Sequence, residues 1–313
     1  MNDIVEAIKK YDTFIISTHK SPDGDAIGSC VALGLTLKKL NKKVSYIIET
    51  PVSQKLMFLP EITEFQNDIY SCETFQVGIF LDCSDTGHLH DDTLLKKCEI
   101  IINIDHHISN THYGDINYID KKASATGEII YNLIENLSLN LDKDICVSLY
   151  TAIVTDTGNF KYTNVTSNTH NIISKLYKYY NNYWDINKKL FDENPYEKVK
   201  LIGKALNNLY LIKDNRISII FLTLNDLSFL SKKVDIEGII NYARDIQGVE
   251  IAIMLREVST NVYKVSFRSN TEYDVSKLAV LYGGGGHSKA SGCTIQGTSL
   301  KETIDNISEK LNI

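Results

Sequence analysis

The segment "TFIISTHKSPDGDAIGSCVALGLTLKKLNKKVSYIIE" (residues 13–49) decides the fold of the first half of the chain. It begins and ends on short apolar runs without strict alternation, which is typical of strands buried on both faces. Between them, Ile27, Val31, Leu35 and Leu40 follow the 3.6-residue period of a helix. This strand–helix–strand order predicts a parallel sheet covered by helices.

Other apolar runs extend the same sheet. Together with the two runs above, the predicted strands are "TFIISTH" (13–19), "KVSYIIE" (43–49), "QVGIFLD" (76–82) and "EIIINID" (99–105). Three of them end on or beside possible metal ligands, namely His19, Asp82, and Asp105 with His106. Ligands of open α/β sheets bind beyond the carboxyl ends of the strands, so we expect these side chains to meet at one edge.

The rest of the chain divides into two parts. Helices are predicted over 126–138, 142–155, 167–180, and from Pro195 to about 212. Strands are then predicted over 216–223, 249–258 and 261–269, with helices near 235–246, 274–282 and 299–311. Polar residues cluster over 183–195, where we place the domain boundary. The predicted domains are residues 1–190, which would carry the catalytic site, and residues 191–313, a linker helix followed by a smaller α/β domain.

Composition narrows the function. The 313 residues are 43% hydrophobic and 23% charged, as in an ordinary folded protein, and the net charge is −6. An acidic chain is unsuited to holding long nucleic acid, which requires a basic face. A small anionic substrate remains compatible, since bound cations can supply the positive charge.

The cysteines and the N-terminus predict a cytoplasmic protein. The six cysteines form no C-x-x-C pair, which argues against a thiolate zinc site and favours small core residues in a reducing compartment. The start "MNDIVEAIKKYD" lacks the form of a signal peptide, and no apolar run approaches membrane-spanning length. We therefore expect no membrane association.

Five polar segments allow both structural and chemical interpretations. In "HKSPDGDAIGS" (19–29), Asp25 can be a helix N-cap within a polar turn, and in "SATGE" (124–128) Thr126 can cap a helix or approach the site with its hydroxyl. Taken together with Asp82, "DHH" (105–107) and Asp156, however, the carboxylates would raise one another's pKa values at a cost. A pair of divalent cations removes that cost, and mixed His and Asp ligands suit Mn²⁺ and its neighbours in the transition series.

The motifs resemble a known family. "HKSPDGDAIGS", "LDCSD", "DHH" and "TDTGNF" are similar, in order, to the four motifs of the DHH phosphoesterases, and "RSN…DVSKLAVLYGGGGHSKASG" (268–292) resembles the glycine-rich motif of the DHH-associated C-terminal domain. Within that superfamily the chain looks most like the bifunctional oligoribonucleases (nanoRNases) and pAp phosphatases, where pAp is 3′-phosphoadenosine 5′-phosphate. The resemblance implies an N-terminal, mostly parallel sheet flanked by helices, joined by a helical linker to a smaller α/β domain.

The resemblance also implies roles for individual residues. It predicts two divalent metal ions, Mn²⁺ first with Mg²⁺ or Co²⁺ as alternatives, and a bridging role for Asp82. His107 would face the substrate as the catalytic residue, and Asp105 would orient an imidazole. The implied ligand sets are His19, Asp23 and Asp82 for one ion, and Asp25, Asp82, His106 and Asp156 for the other.

A substrate-binding role for the second domain follows from its glycine-rich motif. Glycines let backbone N–H groups approach a phosphate, and an arginine can grip one bidentately. The predicted binding residues are Arg268, Ser269, Gly284, Gly285, Gly286 and His287. One departure concerns His88, which stands near a place where relatives often carry arginine, and it puts fine specificity in question.

The implied function is hydrolysis of short oligoribonucleotides to mononucleotides and of pAp to AMP and phosphate. One alternative is a phosphodiesterase for linear dinucleotides such as pApA or pGpG, which needs the same metals. Another is an inactive nucleotide-binding module, which predicts missing ligands, whereas every ligand position is filled. The sequence leaves the oligomeric state open between a monomer and a homodimer.

Overall fold

The chain forms two compact α/β units, Met1–Glu193 and Asn194–Ile313, in a computed structural model that describes residues 1–68, 74–230, 234, 236 and 238–311. Cys72, one of the six cysteines predicted to be small core residues, therefore lies outside the described residues. So do parts of the helix predicted near 235–246, of which Ile239–Arg244 is helical.

The first unit contains a sheet of five parallel strands in the order β2-β1-β3-β4-β5. The chain places β2 on one side of β1 and β3 on the other, so the direction in which strands are added reverses at β1. This creates a topological switch point between β1 and β3 at the carboxyl edge, where ligands bind in folds of this kind. The last strand, β5, was not predicted. The strands are Thr13–Ser17 (β1), Lys43–Ile47 (β2), Phe75–Leu81 (β3), Cys98–Asp105 (β4) and Ile116–Ile119 (β5).

Both faces of this sheet are covered, as the lack of strict alternation predicted. In β1, Phe14 and Ile16 face the large core under the helices, whereas Ile15 joins Phe80 and Leu94 in a smaller core beneath loops and 3₁₀ turns. The helices are Asn2–Lys10 (α1), Gly24–Lys39 (α2), Thr126–Asn136 (α3), Lys143–Asp156 (α4), Ser167–Leu176 (α5) and Tyr183–Asn187 (α6).

The second unit has a sheet of six strands in the order β10-β11-β9-β8-β7-β6. Its pairings are antiparallel except for β7 with β8. The strands are Tyr210–Ile212 (β6), Ile217–Leu222 (β7), Ile251–Ser259 (β8), Val262–Ser269 (β9), Gly285–His287 (β10) and Ala290–Gln296 (β11). The helices are Tyr196–Asn207 (α7), Leu224–Leu227 (α8), Ile239–Arg244 (α9), Val275–Leu281 (α10) and Leu300–Glu309 (α11).

One prediction for the second unit is wrong in detail. The helix expected to reach residue 212 ends at Asn207, because the chain turns there and Tyr210–Ile212 pairs with β7 as an edge strand. The glycine run forms part of the sheet, since Gly285–His287 forms a hairpin with the start of β11, a strand that was not predicted.

The cysteines in the described residues are all free thiols. Cys30, Cys83 and Cys146 are buried, and Cys98 and Cys293 are partly exposed. Within the same residues, no helix has both the length and the apolar character that crossing a bilayer requires.

Candidate metal centre

The candidate ligands gather at the carboxyl edge of the first sheet, on both sides of the switch point. His19 follows β1, Asp82 follows β3, and Asp105 ends β4 just before His106 and His107. Two groups, His19–Asp23–Asp82 and Asp25–His106–Asp156, each have their ligand atoms within 4.8 Å of one another. A third group, Asp82–Asp105–His106–His107, shares Asp82 with the first and His106 with the second.

The turn after β1 presents two aspartates with different tasks. Asp23 is the N-cap of α2, and its Oδ1 accepts hydrogen bonds from the N–H groups of Asp25 (3.0 Å) and Ala26 (3.1 Å). The interpretation of Asp25 as the N-cap of this helix is therefore wrong. Asp25 lies in the first turn of α2, where only 1% of its surface is exposed.

Asp25 instead caps a different helix. Its carboxylate accepts hydrogen bonds from the N–H groups of Thr126 (2.6 Å) and Gly127 (2.9 Å) at the start of α3, and from the Ser29 hydroxyl (3.0 Å). The expectation that Thr126 caps α3 with its side chain is wrong, because the N-cap position is Ala125 and the carboxylate of Asp25 satisfies the helix N–H groups.

Asp82 stands between the two groups. Its Oδ2 lies 3.7 Å from Nε2 of His19, and its Oδ1 lies 3.6 Å from Nε2 of His106. The Thr126 hydroxyl donates a hydrogen bond of 3.0 Å to Oδ1. One carboxylate therefore offers a separate oxygen to each imidazole, which is the arrangement that a bridging ligand needs.

The two imidazoles are oriented by backbone carbonyls. Nδ1 of His19 donates to the carbonyl of Lys20 (2.8 Å), and Nδ1 of His106 donates to the carbonyl of Ala123 (3.2 Å). Because Nδ1 carries the proton in each ring, the lone pair of Nε2 points into the cluster, as in histidines that ligate metals.

The electrostatics of the cluster favour a bound cation. Burial and the charge of Asp82 raise the pKa of Asp25 well above its usual value. The pKa of Asp156 is raised to about 6, chiefly by burial and further by Asp82, although His106 opposes this. Within the described chain, the ion pairs shown for Asp25, Asp82 and Asp156 are all to imidazoles. The donor set therefore fits divalent cations, which would relieve the repulsion.

His107 belongs to a separate hydrogen-bonded group. Its Nδ1 donates to Oδ1 of Asp105 (2.7 Å), which raises the pKa of His107 to about 9. Asp105 is fully buried, and Asn110 donates to its other oxygen (2.6 Å). The imidazole of His107 is 42% exposed. A fixed carboxylate and a partly exposed imidazole form a proton donor beside the candidate metal ligands.

The predicted substrate residues of the second unit lie at one end of its sheet. Ala290 of β11 pairs with His287 on one side and with Arg268 on the other, so these three residues share a row and a face of the sheet. Ser269 is buried, and its hydroxyl donates to the carbonyl of Thr271.

The glycines of this motif differ in their surroundings. A Cβ on Gly284 would lie 2.2 Å from the carbonyl oxygen of Gly292, and one on Gly286, whose φ is +136°, would lie 2.6 Å from that of Ala290. A Cβ on Gly285 would meet nothing within 4 Å. Gly284 and Gly286 are therefore required by the hairpin itself, and Gly285 has the most open backbone.

His88 is exposed and paired within its own loop. Its Nδ1 lies 2.5 Å from Oδ2 of Asp85, which also caps the 3₁₀ turn Thr86–His88. The carbonyl of His88 accepts the N–H of Lys20 (2.8 Å), so this loop contacts the His19 segment through its backbone.

The prediction from sequence missed a buried polar network beside the cluster. Glu128, only 1% exposed, accepts hydrogen bonds from Ser124 (2.5 Å), Thr169 (2.6 Å) and Asn168 (2.9 Å). These contacts hold the segment whose Ala123 carbonyl orients His106. The only indication of this network in the sequence is a glutamate at the start of an amphipathic helix. Such a glutamate is equally typical of a helix start that is exposed to solvent.

The fold and the cluster define a two-unit α/β protein that gathers carboxylates and imidazoles for divalent cations at a sheet edge. Sequence profiles agree, since the DHH family, N-terminal domain, matches residues 13–153 and the DHHA1 domain matches residues 217–312. The chain therefore belongs to the DHH family of phosphoesterases, which are hydrolases.

Individual relatives cover nearly the whole chain. It is 30% identical over 310 residues to a probable bifunctional oligoribonuclease and PAP phosphatase NrnA of Streptococcus mutans, covering 99% of this chain and 97% of that protein. It is 29% identical to the bifunctional oligoribonuclease and PAP phosphatase NrnA of Thermus thermophilus, covering 99% and 92%. The structure of an exopolyphosphatase-related protein from Bacteroides fragilis superimposes with a TM-score of 0.89 at 27% identity, covering 99% and 94%.

Proposed function

We propose that the chain hydrolyses short oligoribonucleotides to mononucleotides and pAp to AMP and phosphate. The names of its relatives support this substrate range. One geometric observation supports hydrolysis by a pair of metal ions. The two oxygens of Asp82 face Nε2 of His19 and Nε2 of His106 from 3.7 and 3.6 Å, as a carboxylate shared by two cations requires.

Two divalent cations are the proposed cofactors, with Mn²⁺ preferred and Mg²⁺ or Co²⁺ as alternatives. The residues that would hold them are His19, Asp23 and Asp82 for one, and Asp25, Asp82, His106 and Asp156 for the other. When bound, such cations supply charge neutralisation and polarisation of the phosphoryl group.

His107 is the proposed proton donor to the leaving oxygen. Its Nδ1 is committed to Asp105, which leaves the opposite ring nitrogen to meet the substrate. Asn110 fixes the other oxygen of Asp105, so the imidazole is held in one orientation. The hydrogen bond to Asp105 raises the pKa of His107, which favours the protonated ring that general-acid catalysis needs.

The second unit is the proposed binding site for a terminal phosphate of the substrate. Arg268 and His287 flank the small side chain of Ala290 on one face of the sheet, and the backbone of Gly285 is open. We expect Arg268→Gln to raise KM for pAp by about 10-fold or more, the size of a lost hydrogen bond between charged groups, with unchanged metal content. Arg216→Gln, which breaks an exposed pair with Glu250, is the matched control.

The proposed surroundings of the enzyme follow from its thiols and charge. Free cysteines and a net charge of −6 fit a cytoplasmic enzyme that acts on small nucleotides and not on long nucleic acid. Exclusion of long substrates is proposed to arise from the second unit, which would hold the end of a short one.

The test compares rates on pAp, a five-residue RNA and pApA for Mn²⁺-loaded protein, with Asp82→Ala as the control. We expect hydrolysis of pAp and of the RNA by the wild type and no turnover by the variant. A clear preference for pApA would favour the dinucleotide alternative. Binding of pAp without hydrolysis of any of the three would contradict the proposal and favour an inactive nucleotide-binding module.

A further inference from the structure

We propose that Thr126 is a positioning residue for the metal centre, because its hydroxyl fixes the rotation of the Asp82 carboxylate. This inference rests on the proposed function, in which Asp82 bridges two cations. It assigns to the first turn of α3 a task beyond helix formation, namely to keep the two oxygens of Asp82 facing different imidazoles.

The hydrogen bond itself has one possible direction. Thr126 is fully buried, and its Oγ1 lies 3.0 Å from Oδ1 of Asp82. The ionised carboxylate can only accept, so the threonine donates. Among the described residues, this is the hydrogen bond that the carboxylate accepts. Imidazole nitrogens lie 3.6 to 3.7 Å from its oxygens, and Asp23 belongs to the same cluster of possible ligands.

The backbone of Asp82 is fixed, so the plane of its carboxylate depends on the last torsion angle of the side chain. Its φ is +53°, in the left-handed region that aspartate tolerates, and its N–H donates to the carbonyl of Ile104 (3.0 Å). The last torsion of an aspartate has broad, shallow preferences, so the backbone alone does not set the plane of the carboxylate. The hydroxyl of Thr126 supplies that restraint.

Thr126 is in turn anchored to the second ligand group. Its own N–H and that of Gly127 donate to the two oxygens of Asp25, at 2.6 and 2.9 Å. At Gly127 helix α3 also packs closely against α4, since a Cβ there would lie 2.6 Å from the Cβ of Ala152. One helical turn therefore holds both Asp25 and Asp82, and the position of the hydroxyl is determined from three sides.

Thr126→Val tests the inference, because valine keeps the shape and the backbone N–H but removes the donor. Partners that orient metal ligands are worth about 10–100-fold in metal affinity, and we expect the weaker of two Mn²⁺ binding steps to lose affinity within that range. Isothermal titration calorimetry measures this step directly. Hydrolysis of pAp should fall at limiting Mn²⁺ and recover at excess Mn²⁺, and Thr126→Ser should restore both properties.

Thr36→Val is the matched structural control. Thr36 is also fully buried in a helix, but its hydroxyl donates to the carbonyl of Ala32 (2.7 Å) and contacts no ligand. We expect this variant to bind Mn²⁺ like the wild type. If Thr126→Val does not fold, Thr126→Ala gives the same comparison against Thr126→Ser.

The outcomes separate this inference from the proposed function. A wild type that binds two Mn²⁺ and a Thr126→Val variant with the same two affinities would overturn the role of Thr126 alone. A wild type that binds fewer than two Mn²⁺ would overturn the proposed metal centre on which the inference rests. Equal losses in Thr126→Val and Thr36→Val would show a general packing effect and would also overturn it.

Discussion

At the scale of single residues, adjacent histidines of the "DHH" motif have different partners. His106 donates through Nδ1 to a backbone carbonyl and turns Nε2 toward three carboxylates, whereas His107 donates through Nδ1 to the buried Asp105. Neighbouring positions of one loop thus differ in their surroundings, as the proposed roles of His106 as a ligand and His107 as a proton donor require.

This difference predicts that substitution of His107 lowers the rate of hydrolysis, whereas substitution of His106 lowers the metal content. We expect His107→Ala to lower kcat for pAp by about 10²–10⁴-fold while both Mn²⁺ ions are retained, because a general acid contributes a factor of that size. We expect His106→Ala to lose bound Mn²⁺. Metal analysis alongside steady-state kinetics checks both. Loss of metal in His107→Ala would contradict the assigned roles.

The sequence predicted which acidic and histidine side chains gather at one edge of the sheet, and it did not predict most of the contacts that support them. Asp and His at strand ends are visible in the motifs, because parallel strands bring their carboxyl ends to one edge. Asp25 caps α3 through the N–H groups of Thr126 and Gly127, which lie 101 and 102 positions further along the chain. No local sequence pattern indicates such a contact. For Thr126, the sequence offered a contact of the hydroxyl with the site only as an alternative to helix capping, because a threonine at a helix start fits both.

At the scale of elements, the apolar strands β1–β4 and β7–β9 were predicted, whereas the short strands β5, β6 and β10 and the glycine-containing strand β11 were not. β1, β3 and β4 contain enough isoleucine, valine and phenylalanine to be predicted as strands from the sequence. The strands Ile116–Ile119, Tyr210–Ile212 and Gly285–His287 are too short, and the last is too rich in glycine, to show a period of their own. Pairing with a neighbour, not local preference, defines them.

The hairpin of β10 and β11 gives a matched pair of substitutions. Gly284→Ala would place a Cβ 2.2 Å from a backbone oxygen, and we expect destabilisation of about 1–3 kcal/mol, as for an overpacked site. Gly285→Ala meets no atom within 4 Å and should leave stability near that of the wild type. Chemical denaturation monitored by circular dichroism measures both. Equal stability of the two variants would contradict this account of the hairpin.

At the scale of the whole molecule, the ligand cluster couples stability to pH and metal. The pKa of Asp156 is raised to about 6 in the folded chain, so the metal-free folded state binds more protons than the unfolded chain between about pH 4 and 6, and the raised pKa of Asp25 acts in the same direction. Their contribution to stability is present at low pH and is lost as the pH rises through the folded-state values. His107, with a pKa raised to about 9, acts in the same direction at higher pH.

We therefore expect the metal-free protein to gain more from Mn²⁺ at pH 7.5 than at pH 5.5. At the higher pH, Asp156 has lost the proton that stabilises the metal-free protein at pH 5.5, and this proton no longer competes with a cation for the carboxylate. Thermal denaturation with chelator or with excess Mn²⁺ gives the rise in Tm at each pH. An equal rise at both pH values, or a rise retained in Asp82→Ala, would contradict the assignment.

The most direct measurement is anomalous diffraction at the manganese edge from crystals of the Mn²⁺-loaded protein. The account predicts two peaks about 3.5–4 Å apart, the usual spacing of two-metal sites, one on each side of the Asp82 carboxylate. His19 and Asp23 should contact one peak, and Asp25, His106 and Asp156 the other. A single peak, or peaks away from Asp82, would contradict the central claim that this carboxylate joins two cations.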